Sequence, residues 1–232
     1  MAVRGATPLL LPGNMCDARL WTAEVRDALP TAIDVDLSFD DRVDAMATRA
    51  LAQVEGSLLP VGFSMGGIVA LAMARLAPER IAGLVLLDTN PSADLPERAS
   101  VRPRQQADVR GGELERIVVQ ELKPHYLARA NRENIPLLAT VRDMALRLGA
   151  DVFVRQSEAL RTRPDQRGVL ATLDLPVLIA CGAEDDLCPP AWHEAMAAEA
   201  RTPTLHVVAG AGHMLPLEQP GRLAAILEEW SW

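Results

Sequence analysis

A serine flanked by glycines is the feature that most constrains how this chain can fold. Residues 62–66 read Gly-Phe-Ser-Met-Gly, between an apolar run at 58–61 and an alanine-rich run at 68–76. This pattern predicts a buried strand, a sharp turn and a helix. Ser64 at the apex would have a strained backbone, and the residues two positions before and after it would pass so close that glycine is required. A glycine-rich turn of another α/β fold could share this spacing.

Apolar, strand-like runs alternate with helical patterns along most of the chain. Because continuous apolar strands alternating with helices are typical of a sheet covered on both faces, we predict an α/β fold with a mostly or wholly parallel sheet of about six strands. We expect Asp17 to cap the first helix, and Asp40 or Asp41 to cap the second. The predicted strands are 8–11, 33–37, 58–63, 83–88, 176–181 and 204–208, and the predicted helices are 19–29, 41–54, 65–76, 191–200 and 216–230.

The segment 91–165, called the helical insertion below, departs from this alternation. It has no strand-like run, and its apolar residues recur at helical spacing, which predicts three or four helices lying over the sheet. We therefore expect a single domain, 1–232, with a core formed by 1–90 and 166–232 and a helical cap at 91–165. The insertion has 13 basic and 11 acidic residues, against 10 and 20 in the remainder. Most of these charges fit a solvated helix face, but a few arginines could steer an anionic substrate.

The composition of the chain argues against several classes of function. The net charge of −8 argues against nucleic acid as a partner. The three cysteines are widely spaced and form no CxxC pair, so neither a disulfide framework nor a metal site is expected. No apolar run is long enough to span a membrane, and no signal-peptide pattern opens the chain, so we expect no membrane association and a cytoplasmic location.

A serine hydroxyl becomes a strong nucleophile only when a base takes its proton and an acid orients that base. Because the carboxyl ends of parallel strands meet at one edge, the partners of Ser64 should follow other strands. His213 follows the last strand in a loop of small residues, whereas His206, His193 and His125 lie in a strand, a helix and the insertion. The residues after the fifth strand are Glu-Asp-Asp at 184–186. Asp185 is our choice for the acid, followed by Asp186 and by Asp88 at the end of the preceding strand; we expect Glu184 to face water.

The oxyanion formed on attack would need backbone N–H donors. We assign these to Met65, which follows the serine, and to Asn14 in the turn after the first strand. Cys16 and Cys188 should lie near this edge as packing residues rather than nucleophiles. Candidate substrate-binding residues are Met15, Met214, Leu137, Val141 and Phe153. The last three could line an acyl pocket or form the insertion's own core.

The chain resembles the α/β-hydrolase superfamily, in its capped, esterase-like branch, over essentially its whole length. The resemblance rests on Leu-Pro-Gly-Asn at 11–14, Gly-Phe-Ser-Met-Gly-Gly at 62–67, Gly-Ala-Glu-Asp at 182–185 with Pro189, and Gly-Ala-Gly-His at 210–213. The order Ser64, Asp185, His213 is the family order. The resemblance implies ester hydrolysis through an acyl-enzyme, without a cofactor. We expect a small-molecule ester as the substrate and a monomer or homodimer as the active form.

Two departures from the family pattern matter. Many members begin the first turn with His-Gly, where this chain has Pro12-Gly13. About six residues precede the first strand, so we expect the usual opening antiparallel hairpin to be missing and the strand order to be 2-1-3-4-5-6. Thioesterases, lactonases and carbon–carbon bond hydrolases use the same triad, and a ligand receptor could retain the fold, so these alternatives stay open.

Overall fold

Six strands form one sheet at the centre of the protein. They are β1 (Thr7–Leu11), β2 (Ile33–Asp34), β3 (Leu58–Phe63), β4 (Leu84–Leu87), β5 (Pro176–Gly182) and β6 (Thr202–Val208). The structure, a computed structural model, describes residues 5–122 and 126–230. The strands lie in the order β2-β1-β3-β4-β5-β6, and every neighbouring pair is parallel. The predicted fold class, strand number and strand order are confirmed.

The second strand is shorter than the sequence predicted. It ends at Asp34 rather than at Leu37. As an edge strand it pairs only with β1. That neighbour ends at Leu11, and the following Pro12 has no N–H group to donate, so the ladder cannot continue.

Helices surround the sheet and occupy the segment between β4 and β5. They are α1 (Ala23–Ala28), α2 (Val43–Gln53), α3 (Met65–Leu76), α4 (Pro96–Arg110), α5 (Leu114–Arg116), α6 (Ile135–Arg161), α7 (Val169–Thr172), α8 (Pro190–Glu199), α9 (Leu215–Glu218) and α10 (Pro220–Glu229). Short 3-10 turns lie at Ala18–Leu20, Pro78–Arg80 and Arg129–Asn131, and a π-helical segment at Ile117–Leu122 continues α5. Across the described ranges, no helix combines the length and apolarity needed to cross a membrane.

The first two predicted helices begin differently from our expectation. Asp17 accepts the N–H of Arg19, but it caps only the short 3-10 turn, and α1 begins after the extended residue Trp21. The predicted cap of α2 is wrong, because no side chain caps that helix. Asp40 instead binds the guanidinium of Arg49 at 2.7 Å.

Side chains that alternate along the strands divide the core into two layers. Leu9, Leu86 and Ile179 lie in the layer that also holds α2 and α3. Leu10 and Val85 lie in the opposite layer, which α1 and α10 cover. Because consecutive strand residues point to opposite faces, a continuous apolar strand requires cover on both sides, as the sequence indicated.

The segment between β4 and β5 contains helices and turns but no strand in its described part. Gly149, with a φ of +83°, divides α6 into two helical stretches. Apolar residues of α4, the π-helical segment and α6, among them Val109, Ile117 and Phe153, form a separate buried cluster. The insertion therefore has a small core of its own.

Candidate active site

Ser64 lies on a strained turn between β3 and α3. Its φ is +50°, a value that non-glycine residues rarely adopt. A Cβ atom on Gly62 would lie 2.4 Å from the Gly66 carbonyl oxygen, and a Cβ on Gly66 would lie 2.0 Å from that of Leu11. The predicted close passage of the chain is therefore confirmed. The turn places the hydroxyl at the N-terminal end of a twelve-residue helix, where the helix dipole is positive.

The structure brings Ser64, His213 and Asp185 together. The Nε2 atom of His213 lies 2.9 Å from the Ser64 Oγ, and its Nδ1 lies 2.8 Å from Oδ2 of Asp185. The other carboxylate oxygen, Oδ1, accepts the backbone N–H groups of Leu187 and Cys188, each at 2.8 Å. Burial alone would raise the pKa of Asp185, but the charge and hydrogen bond of His213 and these two N–H groups hold it below its ordinary value. Asp185 is thus a fixed carboxylate aimed at the imidazole.

The neighbouring carboxylates face elsewhere. Asp186 is exposed and lies 3.4 Å from the guanidinium of Arg132. Glu184 accepts the backbone N–H of Arg129 at 3.0 Å, and its side chain is 38% exposed, so it contacts both the insertion and solvent. Both side chains contact the insertion rather than His213.

Asp88, the rival position for the acid, is fully buried but is not bonded to His213. Its Oδ1 accepts the N–H of Gly182 at 2.9 Å, and its Oδ2 has no hydrogen-bond partner among the described residues. Burial, together with the nearby charge of Asp185, raises the pKa of Asp88 well above its ordinary value. Burial and the nearby charge of Asp185 therefore favour the protonated form of Asp88.

A second buried histidine supports the nucleophile turn. The Nε2 atom of His193 accepts the N–H of Thr89 at 3.0 Å, and the Thr89 hydroxyl donates to the carbonyl oxygen of Ser64 at 2.7 Å. Burial lowers the pKa of His193 to about 4, so the ring is a neutral acceptor near pH 7. The sequence placed this residue in a helix but gave no sign of this contact.

The shifted pKa of His193 should make folding stability depend on pH. An unfolded histidine binds a proton near pH 6.5, whereas the folded one resists protonation until about pH 4. The unfolded state therefore gains protons first, and stability falls as the pH drops from 6.5 to 4, by about 3 kcal/mol. In His193→Gln, the amide oxygen can still accept an N–H but does not titrate. Between pH 6.5 and pH 4, the free energy of unfolding measured in urea should therefore fall by about 3 kcal/mol less than in the wild type. Equal losses in both proteins would contradict the assignment.

The two predicted oxyanion donors face the same cavity as the serine. Neither the N–H of Asn14 nor that of Met65 has an acceptor within the described parts of the chain, and both residues line the cavity. The N–H of Met15, by contrast, donates to Oε1 of Gln156 at 2.8 Å. Free donors beside a nucleophile are what a developing oxyanion requires.

Gln156 of α6 holds this turn in place. Its Oε1 also accepts the side-chain amide of Asn14 at 3.2 Å, and its Nε2 donates to the carbonyl oxygen of Leu37 at 3.2 Å. Nothing in the sequence pattern distinguished Gln156 from its helical neighbours, so this anchor was missed.

A cavity of about 500 Å³ opens beside Ser64 and His213. Of the five predicted substrate-binding residues, Met214 lines it. The other four do not, because Met15 and Phe153 pack in the insertion's core, and Leu137 and Val141 pack against the sheet. The insertion contributes both polar and apolar side chains to the wall. The polar ones include Arg98, Arg102, Gln105, Glu121 and Arg163, and the apolar ones include Val101, Leu122 and Leu160.

Comparison with known proteins agrees with this fold. Residues 9–226 match the model of the alpha/beta hydrolase family. The chain belongs to this family. It is 28% identical to a thermophilic esterase from Thermogutta terrifontis, solved with malate bound, with a TM-score of 0.89 over 97% of this chain and 89% of that one.

Curated relatives are similarly distant in sequence. The chain is 29% identical to the pimeloyl-[acyl-carrier protein] methyl ester esterase of Serratia marcescens, over 84% of this chain and 81% of that protein. It is 25% identical to the biotin biosynthesis bifunctional protein BioHC of Cellvibrio japonicus, over 96% of this chain. The chain spans about half of that bifunctional protein, 47% of its length.

Proposed function

We propose that this member of the family is a serine hydrolase that cleaves carboxylic esters of small-to-medium substrates through an acyl-enzyme intermediate. The observation that carries the proposal is the continuous hydrogen-bonded chain from the Ser64 hydroxyl through His213 to Asp185 at the wall of the cavity. The esterases among the similar proteins support the same chemistry.

In the first half-reaction, Nε2 of His213 takes the proton of Ser64 while Oγ attacks the ester carbonyl carbon. The negative charge that forms on the carbonyl oxygen is held by the N–H groups of Asn14 and Met65 and by the positive end of α3. The protonated imidazole is stabilised by Asp185 and gives its proton to the leaving alkoxide as the C–O bond breaks. The products are an alcohol and an acyl group on Ser64.

In the second half-reaction, a water molecule takes the place of the alcohol. His213 removes a proton from this water, whose oxygen attacks the acyl carbon, and the same oxyanion donors serve again. Collapse of the intermediate returns the proton to Ser64 and releases the carboxylic acid. The chain supplies the nucleophile, base and donors itself, so this chemistry calls for no cofactor.

The remaining expectations belong to the same proposal. We propose a core of 1–90 and 166–232 that carries the triad and a cap, 91–165, that covers it, with the protein acting as a monomer or homodimer on a small-molecule ester and not on nucleic acid. We also propose a cytoplasmic location. It is supported by Cys16, Cys181 and Cys188, which are free thiols, as is usual in a reducing compartment.

Covalent labelling and a substrate panel test the proposal. We expect a fluorophosphonate to add one adduct, which peptide mapping should locate at Ser64. We expect turnover of p-nitrophenyl esters of short and medium acyl chains to exceed that of an acyl-CoA, a lactone and a vinylogous diketone. Turnover of the diketone alone would make the esterase assignment wrong, and absence of the adduct would favour a ligand receptor.

A further inference from the structure

Two arginines of the insertion share one buried carboxylate. Asp94 binds Arg102 at 2.6 Å and Arg163 at 3.1 Å. The side chains of Asp94, Arg102 and Arg163 are only 2%, 16% and 4% exposed. Guanidinium groups stay charged in proteins, so one of these two positive charges has no partner in the pair. Burying an uncompensated charge is costly, which points to a missing anion.

A third arginine adds to this excess. Nη2 of Arg98 donates to the carbonyl oxygen of Leu187 at 3.1 Å, and no carboxylate pairs with Arg98 in the ranges that the structure covers. Leu187 is also one of the two residues whose N–H groups hold Asp185. Arg98 therefore lies against the loop that carries the triad acid.

The three arginines line the cavity that also contains Ser64 and His213. We call Arg98, Arg102 and Arg163 the arginine cluster. The cluster and Asp94 together carry three positive charges and one negative charge. A guanidinium presents N–H groups in a planar fork that matches a carboxylate.

The acidic residues of the same cavity wall do not cancel this excess. Glu121 is bonded to Arg104 and Arg116, which do not line the cavity, and to the side-chain amide of Gln105. These three partners lower its pKa to about 2. Asp186 pairs with Arg132. Glu97 is exposed to solvent, where its charge is screened.

We propose that the arginine cluster binds a carboxylate group carried by the ester substrate, so that the preferred substrates are anionic esters such as the half-esters of dicarboxylic acids. This inference rests on the proposed ester hydrolysis, because it assigns the substrate class of the same site. The alternative is that the cluster has only a structural role and ties residues 94, 102 and 163 of the insertion together. The experiment must distinguish this role from substrate binding.

Matched pairs of esters measure the preference directly. Monomethyl adipate and methyl hexanoate have the same chain length and differ in the terminal carboxylate, and methanol release reports the hydrolysis of both. We expect the wild type to favour the charged ester by about tenfold or more in kcat/KM, the usual size of a charge-assisted hydrogen bond. The acetate ester of a hydroxy acid places the carboxylate on the alcohol side instead. The half-ester and this acetate together identify which part of the substrate carries the anion.

Arg98→Gln tests the cluster without leaving Asp94 unpaired. The selectivity for the charged over the neutral ester should fall by about tenfold, through a higher KM for the charged ester. Arg110→Gln is the matched control, because it removes the same charge from an exposed position on α4 that does not line the cavity, and it should keep the wild-type selectivity. Equal losses on both esters in Arg98→Gln, or no preference in the wild type, would overturn the proposal while leaving ester hydrolysis intact.

A binding measurement separates this inference from catalysis. In Ser64→Ala, calorimetry should detect monomethyl adipate binding, and adding Arg98→Gln should weaken the Kd about tenfold. Unchanged affinity would identify the cluster as structural. Failure of the proposed function is distinguishable, because the wild type would then hydrolyse neither ester of the pair and take up no fluorophosphonate.

Discussion

Ser64→Ala is expected to lower kcat for ester hydrolysis on the order of 10⁶-fold, as in other enzymes that depend on an activated serine. The Ser64 Oγ bonds to His213 and is the atom that would attack the ester. Steady-state kinetics with a p-nitrophenyl ester, on protein freed of host esterases by affinity purification, would measure the loss.

The fold should survive this change. The side chain of Ser64 supports the structure only through its bond to His213, and the positive φ is imposed by the crossing of Gly62 and Gly66. Urea unfolding should therefore give a stability close to that of the wild type. A variant that kept more than about one hundredth of the wild-type kcat would rule out Ser64 as the nucleophile, since the loss expected of a nucleophile is far larger.

Asp185→Asn should lower kcat about 10⁴-fold, by comparison with the same change in other triads. The N–H groups of Leu187 and Cys188 require an acceptor at Oδ1. The new amide would therefore keep its oxygen there and turn its NH₂ group toward Nδ1 of His213. The imidazole would then carry its proton on Nε2, where it cannot accept the proton of Ser64. Kinetics with the same ester would show the loss.

Two matched changes test the choice of acid. Asp88→Asn replaces a buried acid, whose raised pKa favours its protonated form, by a neutral amide of the same shape. This amide can keep the bond to Gly182, so its effect on kcat should be small. Asp186→Asn removes an exposed charge and should also cost far less than Asp185→Asn. A loss of about 10⁴-fold in Asp186→Asn instead would place the acid one residue further along the chain.

The sheet could be predicted because its signals are local. Each apolar run specifies a strand, and parallel pairing brings every carboxyl end to the same edge. The placement of Ser64, His213 and the carboxylate at 185 therefore followed from three short stretches far apart in sequence. The glycines at 62 and 66 added a steric requirement that few other turns share.

The cavity wall could not be predicted in the same way. Helix α4 has no apolar stripe and contains Pro103, so Arg98 and Arg102 read as solvent-facing residues. Their place in the cluster depends on Asp94 and on Arg163, which lies some sixty positions later in the chain. The spacing of residues within one helix does not indicate such a long-range pairing. The apolar residues Leu137, Val141 and Phe153 of α6 were predicted as substrate contacts instead, although they pack in buried clusters.

Gln156 links the position of α6 to the geometry of the active site at Ser64. One amide spans the turn that carries Asn14 and the segment at Leu37, so displacing this helix would release both at once. A bulky substrate that displaces α6 would still reach the nucleophile Ser64. The N–H of Asn14, one of the two oxyanion donors, would then be out of position. Such compounds should react slowly in the acylation step rather than bind weakly, so the position of α6 would select substrates by rate.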